Sequence, residues 1–307
     1  CPAYSDCRMG LSPDRFILSY CDRALGITSA EEQPVLPKGN NLSLHLLELF
    51  TSQVAKVGMT DGIRQVLQEE SDALRAYYEQ AGILIARPAG GTSCRLAISA
   101  KGGTNAENHN HNDVGSYAVA LGSETMVGDQ GGPNSYPGDY FNGDAPQKYK
   151  IKGSFGHPVP VVDGRTQSSG GKAKGVVLQK EFTNEKDVFS IDYTSAYSTP
   201  NLDKLIRTFV YDRQGKGSFT VGDEFTAKTP IRFETAITTR ADWKILDDTH
   251  LLLATDSEQM IVAIEASGKV AFTSETIEVN SPAYTRIGIA LKNQSKEGYI
   301  RLKMYTK

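Results

Sequence analysis

Histidine, cysteine and tryptophan are scarce here: five, four and one in 307 residues. The four cysteines (Cys1, Cys7, Cys21, Cys94) form no C-x-x-C pair, which argues against a cysteine-based zinc site and leaves no disulfide framework to read. No apolar run approaches the roughly 20 residues that a membrane helix needs. Charge of one sign is lacking too. Lys+Arg (33) nearly balances Asp+Glu (36) for a net charge of -3, so there is no footprint for nonspecific nucleic-acid binding. No internal repeat of about 20–50 residues points to a propeller or solenoid. Gly90-Gly91 and Gly131-Gly132 read as turns without a phosphate-loop context. There is neither a signal peptide nor an initiator Met. A chain opening on Cys-Pro-Ala-Tyr-Ser-Asp is expected to be a fragment or a processed product, and the missing targeting segment says little about compartment.

What is present changes character near residue 81. Residues 12–25 begin with Ser12 and Pro13, a good N-cap and first-turn pair, and read as a helix. The leucine-rich stretch 41–50 reads as a second helix, and 60–78, with apolar residues at helical spacing, as a third. Helices over 1–80 joined by Gly/Pro loops make an incomplete object, expected to be the end of a larger all-helical domain. From Gly82 the period becomes two. Short strands are predicted over 83–87, 94–99, 115–121, 125–127, 175–179, 188–193, 204–211, 219–221, 231–237, 250–254, 260–265, 286–291 and 299–305, separated by turn signals. So many strands without intervening helices indicate antiparallel sheets in a sandwich. The expected fold is mainly β: a large antiparallel β-sandwich over 81–307, preceded by a short α-helical remnant over 1–80.

Chemistry concentrates between residues 100 and 165. Glu107-Asn-His109-Asn-His111-Asn-Asp113 holds two of the five histidines at i and i+2, in a density of asparagine that neither helix nor strand favours. In extended form both imidazoles would project to one face, where they could share a metal, or one could bind metal while the other works on a substrate. Asp129 ends a strand and is followed by Gln and two glycines. His157 precedes a further short strand. Two histidines and a carboxylate at strand ends suit zinc, which takes four N/O/S ligands, and the ligand set read here is His111, Asp129 and His157.

The run G-G-T-N-A-E-N-H-N-H-N-D-V-G-S-Y, then G-D-Q-G-G-P-N-S-Y, then G-H-P-V-P-V-V-D-G, resembles the heparinase II/III-like polysaccharide lyases. The likeness covers roughly residues 80–240, with weaker echoes at Asp192-Tyr193, Arg207 and Asp223. It implies an N-terminal (α/α) toroid, of which residues 1–80 would be the last helices, followed by the sandwich. It also implies that His109 is catalytic, that zinc is held by His111, Asp129 and His157, and that Tyr136 and Tyr140 line the substrate cleft as further catalytic candidates. Two departures stand out: Pro158 follows His157 where relatives often carry Asn, and the toroid's own catalytic residues would lie upstream of residue 1. This chain would then be a C-terminal part, inactive alone.

The implied reaction is β-elimination at uronic acid residues of an acidic polysaccharide such as heparan sulfate, heparin or alginate. Asn108 and Asn112, with His109, are candidate donors to the substrate carboxylate. The implied compartment is periplasmic or secreted. The alternative reading is a noncatalytic, metal-stabilised sandwich that binds acidic glycans. Elsewhere, His45 is read as helix packing, His250 as a strand-edge surface residue, Trp243 as core, and residues 164–172 as a mobile loop.

Overall fold

The computed structural model describes residues 74–107, 109–133, 135–278 and 283–307. The helices read over 12–25 and 41–50, most of that read over 60–78, and His45 and Asn108 lie outside the described residues. One sheet has the order β1 (Arg75–Tyr78), β2 (Ile83–Ala86), β3 (Leu96–Lys101), β5 (Tyr117–Leu121), β6 (Glu124–Val127). A two-stranded sheet pairs β4 (Thr104–Asn105) with β8 (Gly170–Lys174), and a four-stranded one runs β17 (Val270–Ile277), β18 (Tyr284–Leu291), β13 (Phe233–Thr239), β7 (Val161–Val162). The largest sheet has eight strands in the order β14 (Asp242–Asp247), β15 (His250–Ala254), β16 (Gln259–Ala266), β19 (Ser295–Thr306), β12 (Ser218–Ile231), β11 (Leu202–Asp212), β10 (Lys186–Asp192), β9 (Val176–Phe182). Every pairing is antiparallel. The sandwich class read from the two-residue period is therefore the observed one.

The core forms where the five- and eight-stranded sheets meet. Leu96, Ile98, Tyr117 and Val119 from the first share one buried cluster with Phe189, Phe209, Phe219 and Leu302 from the second. The Tyr117 ring lies 6.3 Å from Phe209 and 5.9 Å from Phe219, and the two phenylalanines stack at 6.2 Å. Each such side chain contributes about 1.5–3 kcal/mol by leaving water, so the alternation of buried Leu205, Arg207, Phe209 and Tyr211 along β11 registers that strand against the core.

Sequence and structure part at several places. Arg75–Tyr78 is strand, where the helix over 60–78 was expected to run. Its four residues pair with β2, and Tyr77 packs 5.7 Å from both Phe182 and Phe189. Tertiary packing of an aromatic overrides the local helical spacing. Three strands carry no clear period-two signal. β14 is a largely exposed edge bearing Asp242, Lys244 and Asp247, charges typical of a protected edge. β17 is the edge of its sheet, and glycine-rich β8 occupies part of the loop expected over 164–172. A short helix, α1 (Ala145–Lys148), with Pro146 in its first turn, interrupts the strands. Trp243 packs against the core, and His250 is half-buried with Nδ1 3.0 Å from Asp247.

One buried ion pair ties this scaffold to the loops that carry His111 and His157. Arg207 on β11 and Asp223 on β12 are cross-strand partners, joined by Nε–Oδ1 and Nη2–Oδ2 bonds of 2.7 and 2.6 Å. The Arg207 Nη2 also donates to Thr235 at 3.1 Å, and Nη1 donates to the carbonyls of Gly115 and Pro158, both at 2.7 Å. Tyr193 and Thr235 donate to the Asp223 carboxylate at 2.6 and 2.7 Å. Five donor bonds use the whole guanidinium fork, as burying this charge requires. Gly115 has φ of 88°, and a Cβ there would sit 3.3 Å from the Tyr193 ring, so glycine alone suits the approach. Replacing Arg207 with Met strands the buried Asp223 charge. Chemical denaturation of that variant is expected to show a loss of about 3–5 kcal/mol; a loss below about 1 kcal/mol would contradict the role.

Candidate metal centre

His109 and His111 lie in the loop between β4 and β5, which is not extended. His109 adopts φ of 55°, the left-handed region, at a cost on the order of 1 kcal/mol for a side chain with a Cβ. The two imidazoles therefore do not share a face: His109 is exposed, whereas His111 is fully buried. Asparagine density has a structural explanation here, because short amides wire the loop down. Asn105 Oδ1 accepts the Asp113 N–H at 3.0 Å, and its amide donates to Gln167 at 3.0 Å. Asn112 donates its backbone N–H to Lys152 O at 2.9 Å and its side-chain amide to Ser169 Oγ at 3.1 Å. Asp113 pairs with Lys101 at 2.5 Å, both buried. Asn112 is 2 % exposed, so the structure seats this expected substrate contact inside the loop's own bonding.

Asp129 follows β6 and turns at Gly131, whose N–H donates to Oδ1 at 2.9 Å. His157 follows a single 3-10 turn, Ser154–Gly156. A Cβ at Gly156 would lie 2.2 Å from the Lys150 carbonyl, which makes this turn possible only with glycine. The three segments bring His111, Asp129 and His157 together. All are buried, and one potential ligand atom from each lies within 4.8 Å of the others. The histidine rings are 5.2 Å apart, and His157 Nδ1 sits 3.1 Å from Asp129 Oδ2.

This trio could hold a metal ion. Two imidazoles and a carboxylate match the three-ligand N/N/O set that leaves a fourth position open. His157 Nε2, at 1 % residue exposure, has no hydrogen-bond partner among the described residues. A buried polar atom without a partner is costly, and an ion at the trio would satisfy it.

Without an ion, His157 and Asp129 form a mutually stabilising acid–base pair. Burial works against a charged His157, but the adjacent Asp129 carboxylate outweighs it and raises the imidazole above its ordinary value. Burial likewise works against the Asp129 carboxylate, yet His157, His111 and the Gly131 N–H hold it below its ordinary range. The raised histidine stabilises the fold fully below about pH 6.5 and loses that contribution as pH rises through its folded value. The lowered aspartate contributes above about pH 4 and loses its contribution as pH falls through its folded value. The metal-free chain is thus expected to weaken on the alkaline side, and His157→Gln to remove that limb. Urea midpoints across pH would reveal it; an alkaline limb unchanged by the substitution would contradict the pairing.

Tyr136 and Tyr140, expected together on the cleft, part company. Tyr136 is 44 % exposed. Tyr140 is fully buried and its hydroxyl lies 3.1 Å from His111 Nε2. Tyr140 lies behind an aromatic wall, 5.2 Å from Tyr136 and 5.4 Å from both Phe141 and Tyr149. Phe141, 53 % exposed, meets the His109 ring edge-on at 5.1 Å. Behind the wall, the Lys152 ammonium sits 4.5 and 4.8 Å over the Tyr140 and Phe141 rings and donates to Tyr140 O at 2.7 Å. Sequence reading passed over Phe141 and Lys152. A Phe directly following Tyr140 was a usable signal for the first. Nothing marked the second, whose partners come from distant contacts.

No family model matches the chain, and no curated protein matches it in sequence. Solved structures do match. Heparan sulfate lyase HepC from Pedobacter heparinus aligns with a TM-score of 0.67 at 14% identity, over 100% of this chain and 44% of that one. A crystal structure of heparinase III aligns with a TM-score of 0.60 at 18% identity, over 76% of this chain and 36% of that one. A second heparinase III aligns with a TM-score of 0.65 at 11% identity, over 100% and 43%. The chain thus spans less than half the length of these structures. The class is a large antiparallel β-sandwich carrying a buried His/Asp/His cluster behind an aromatic wall. More narrowly, its fold is that of a heparinase-like C-terminal domain.

Proposed function

We propose that this chain is the sandwich part of a polysaccharide lyase acting by β-elimination on uronic acid residues of an acidic polysaccharide, with zinc at His111, Asp129 and His157. The observation that carries this reading is the placement of the buried trio directly behind a solvent-facing wall of His109, Tyr136 and Phe141, linked to it through Tyr140. Bound zinc would fix the loops that carry the wall. His109 and Asn108 would donate to the substrate carboxylate, spreading the charge that develops when the C5 proton leaves. Tyr136 would take that proton or return one to the leaving oxygen as the C4–O bond breaks and the C4–C5 double bond forms. A tyrosine near its ordinary value of about 10 needs positive potential to act as a base, and the zinc and the Lys152 ammonium would supply it.

The neighbours are more than twice as long as the part this chain matches, so the complete activity is proposed to require a preceding helical toroid. Heparan sulfate, heparin and alginate are the candidate substrates, and a periplasmic or secreted location follows from that reading. Among the described residues, no helix is long and apolar enough to cross a membrane. The same length comparison favours a second reading, a noncatalytic metal-stabilised module that binds acidic glycans.

Ultraviolet absorbance of the unsaturated uronate formed from these polymers separates the two readings. Protein containing this chain is expected to generate it, and His109→Ala to lower kcat about 100- to 1,000-fold with an unchanged circular dichroism spectrum. Glycan binding without turnover would leave the binding module, and saturated products would indicate hydrolysis.

A further inference from the structure

Tyr140 occupies a position that neither a cleft tyrosine nor a packing residue needs. Its ring is fully buried, so it offers no surface to a polymer, yet its hydroxyl is 3.1 Å from the Nε2 of His111. Histidines that ligate metals usually engage their second ring nitrogen in a hydrogen bond, which fixes tautomer and ring orientation. With Nε2 engaged by Tyr140, Nδ1 is the nitrogen that would face the ion. The ring proton would then sit on Nε2 and be donated to the Tyr140 oxygen. The same ring is gripped from several sides. Lys152 lies over it at 4.5 Å and bonds its carbonyl at 2.7 Å, Tyr149 packs at 5.4 Å, and Tyr136 packs at 5.2 Å. Tyr149 is in turn held by its hydroxyl on Asp139 at 2.5 Å. The hydroxyl therefore has little freedom to leave His111.

We infer that Tyr140 is a positioning residue for the metal, setting the ligating nitrogen of His111 and coupling the ion to the aromatic wall. This rests on the metal reading above and names a role in it for a residue outside the ligand trio. Removing the hydroxyl alone, by Tyr140→Phe, keeps the ring and its packing, so the fold is expected to persist. The control is Tyr149→Phe, which deletes a hydroxyl from the same aromatic cluster but not one bonded to His111.

The measurement is zinc affinity by competition with a chromophoric chelator for the parent and both variants, with thermal unfolding of each zinc-free chain alongside. Tyr140→Phe is expected to weaken zinc binding about 10- to 100-fold, and Tyr149→Phe to leave it within about twofold of the parent. Parent-like affinity in Tyr140→Phe would overturn the inference while leaving the metal site standing. Equal weakening in both variants would overturn it too, since the effect would then come from general packing. Failure of the parent itself to bind zinc would remove the metal reading and this inference together.

Discussion

The guanidinium of Arg207 is the constraint on which this molecule's site depends. It sits fully buried on a central strand of the eight-stranded sheet, neutralised by Asp223 across the ladder. Two of its donors leave the sheet and hold the carbonyls of Gly115 and Pro158. Gly115 follows His111 by four residues, and Pro158 directly follows His157, so one side chain sets the spacing of two loops far apart in sequence. Burying such a pair is not a source of stability relative to apolar packing, because desolvation offsets much of the Coulomb gain. Its value is geometric. The backbone carbonyls of irregular loops need partners once water is excluded, and a forked cation satisfies two of them while fixing their separation.

The loops so placed form a layered site. Deepest are the His111, Asp129 and His157 side chains, of low exposure and mutually close. Next comes Tyr140, hydrogen-bonded inward to His111 and packed outward against Tyr136 and Phe141. Outermost is a surface of His109, Tyr136 and Phe141. Change at the deepest layer has a continuous path of contacts to the surface. The left-handed backbone at His109 belongs to the same design: it turns one histidine of the H-x-H pair out to solvent while its neighbour points in.

The architecture was legible because burial on one face of a strand writes a period of two, and most of the strands carry it. Where that physics lapses, so does the signal. The edge strands β14 and β17 bury little, and β1 looked helical until Tyr77 found Phe182 and Phe189. That His111, Asp129 and His157 come together, in a cluster that could hold a metal ion, was legible from residue type and order, because few side chains ligate and these stand at strand ends and tight turns. The fate of the H-x-H pair was not, since a single positive φ decides it and the residue there is histidine rather than glycine. The separate fates of Tyr136 and Tyr140, four residues apart, depend on contacts with Lys152 and His111 that no local pattern encodes. The asparagines hinted at a ligand surface, whereas Asn105 and Asn112 serve the loop's own hydrogen bonds.

The most direct test of the proposed metal centre is elemental analysis of the chain purified without added metal, beside an Asp129→Ala variant. About one equivalent of zinc per chain, absent from the variant, is the expected result. A folded parent devoid of metal, or a variant that retains the parent's full complement, would contradict the assignment of His111, Asp129 and His157 as its ligands.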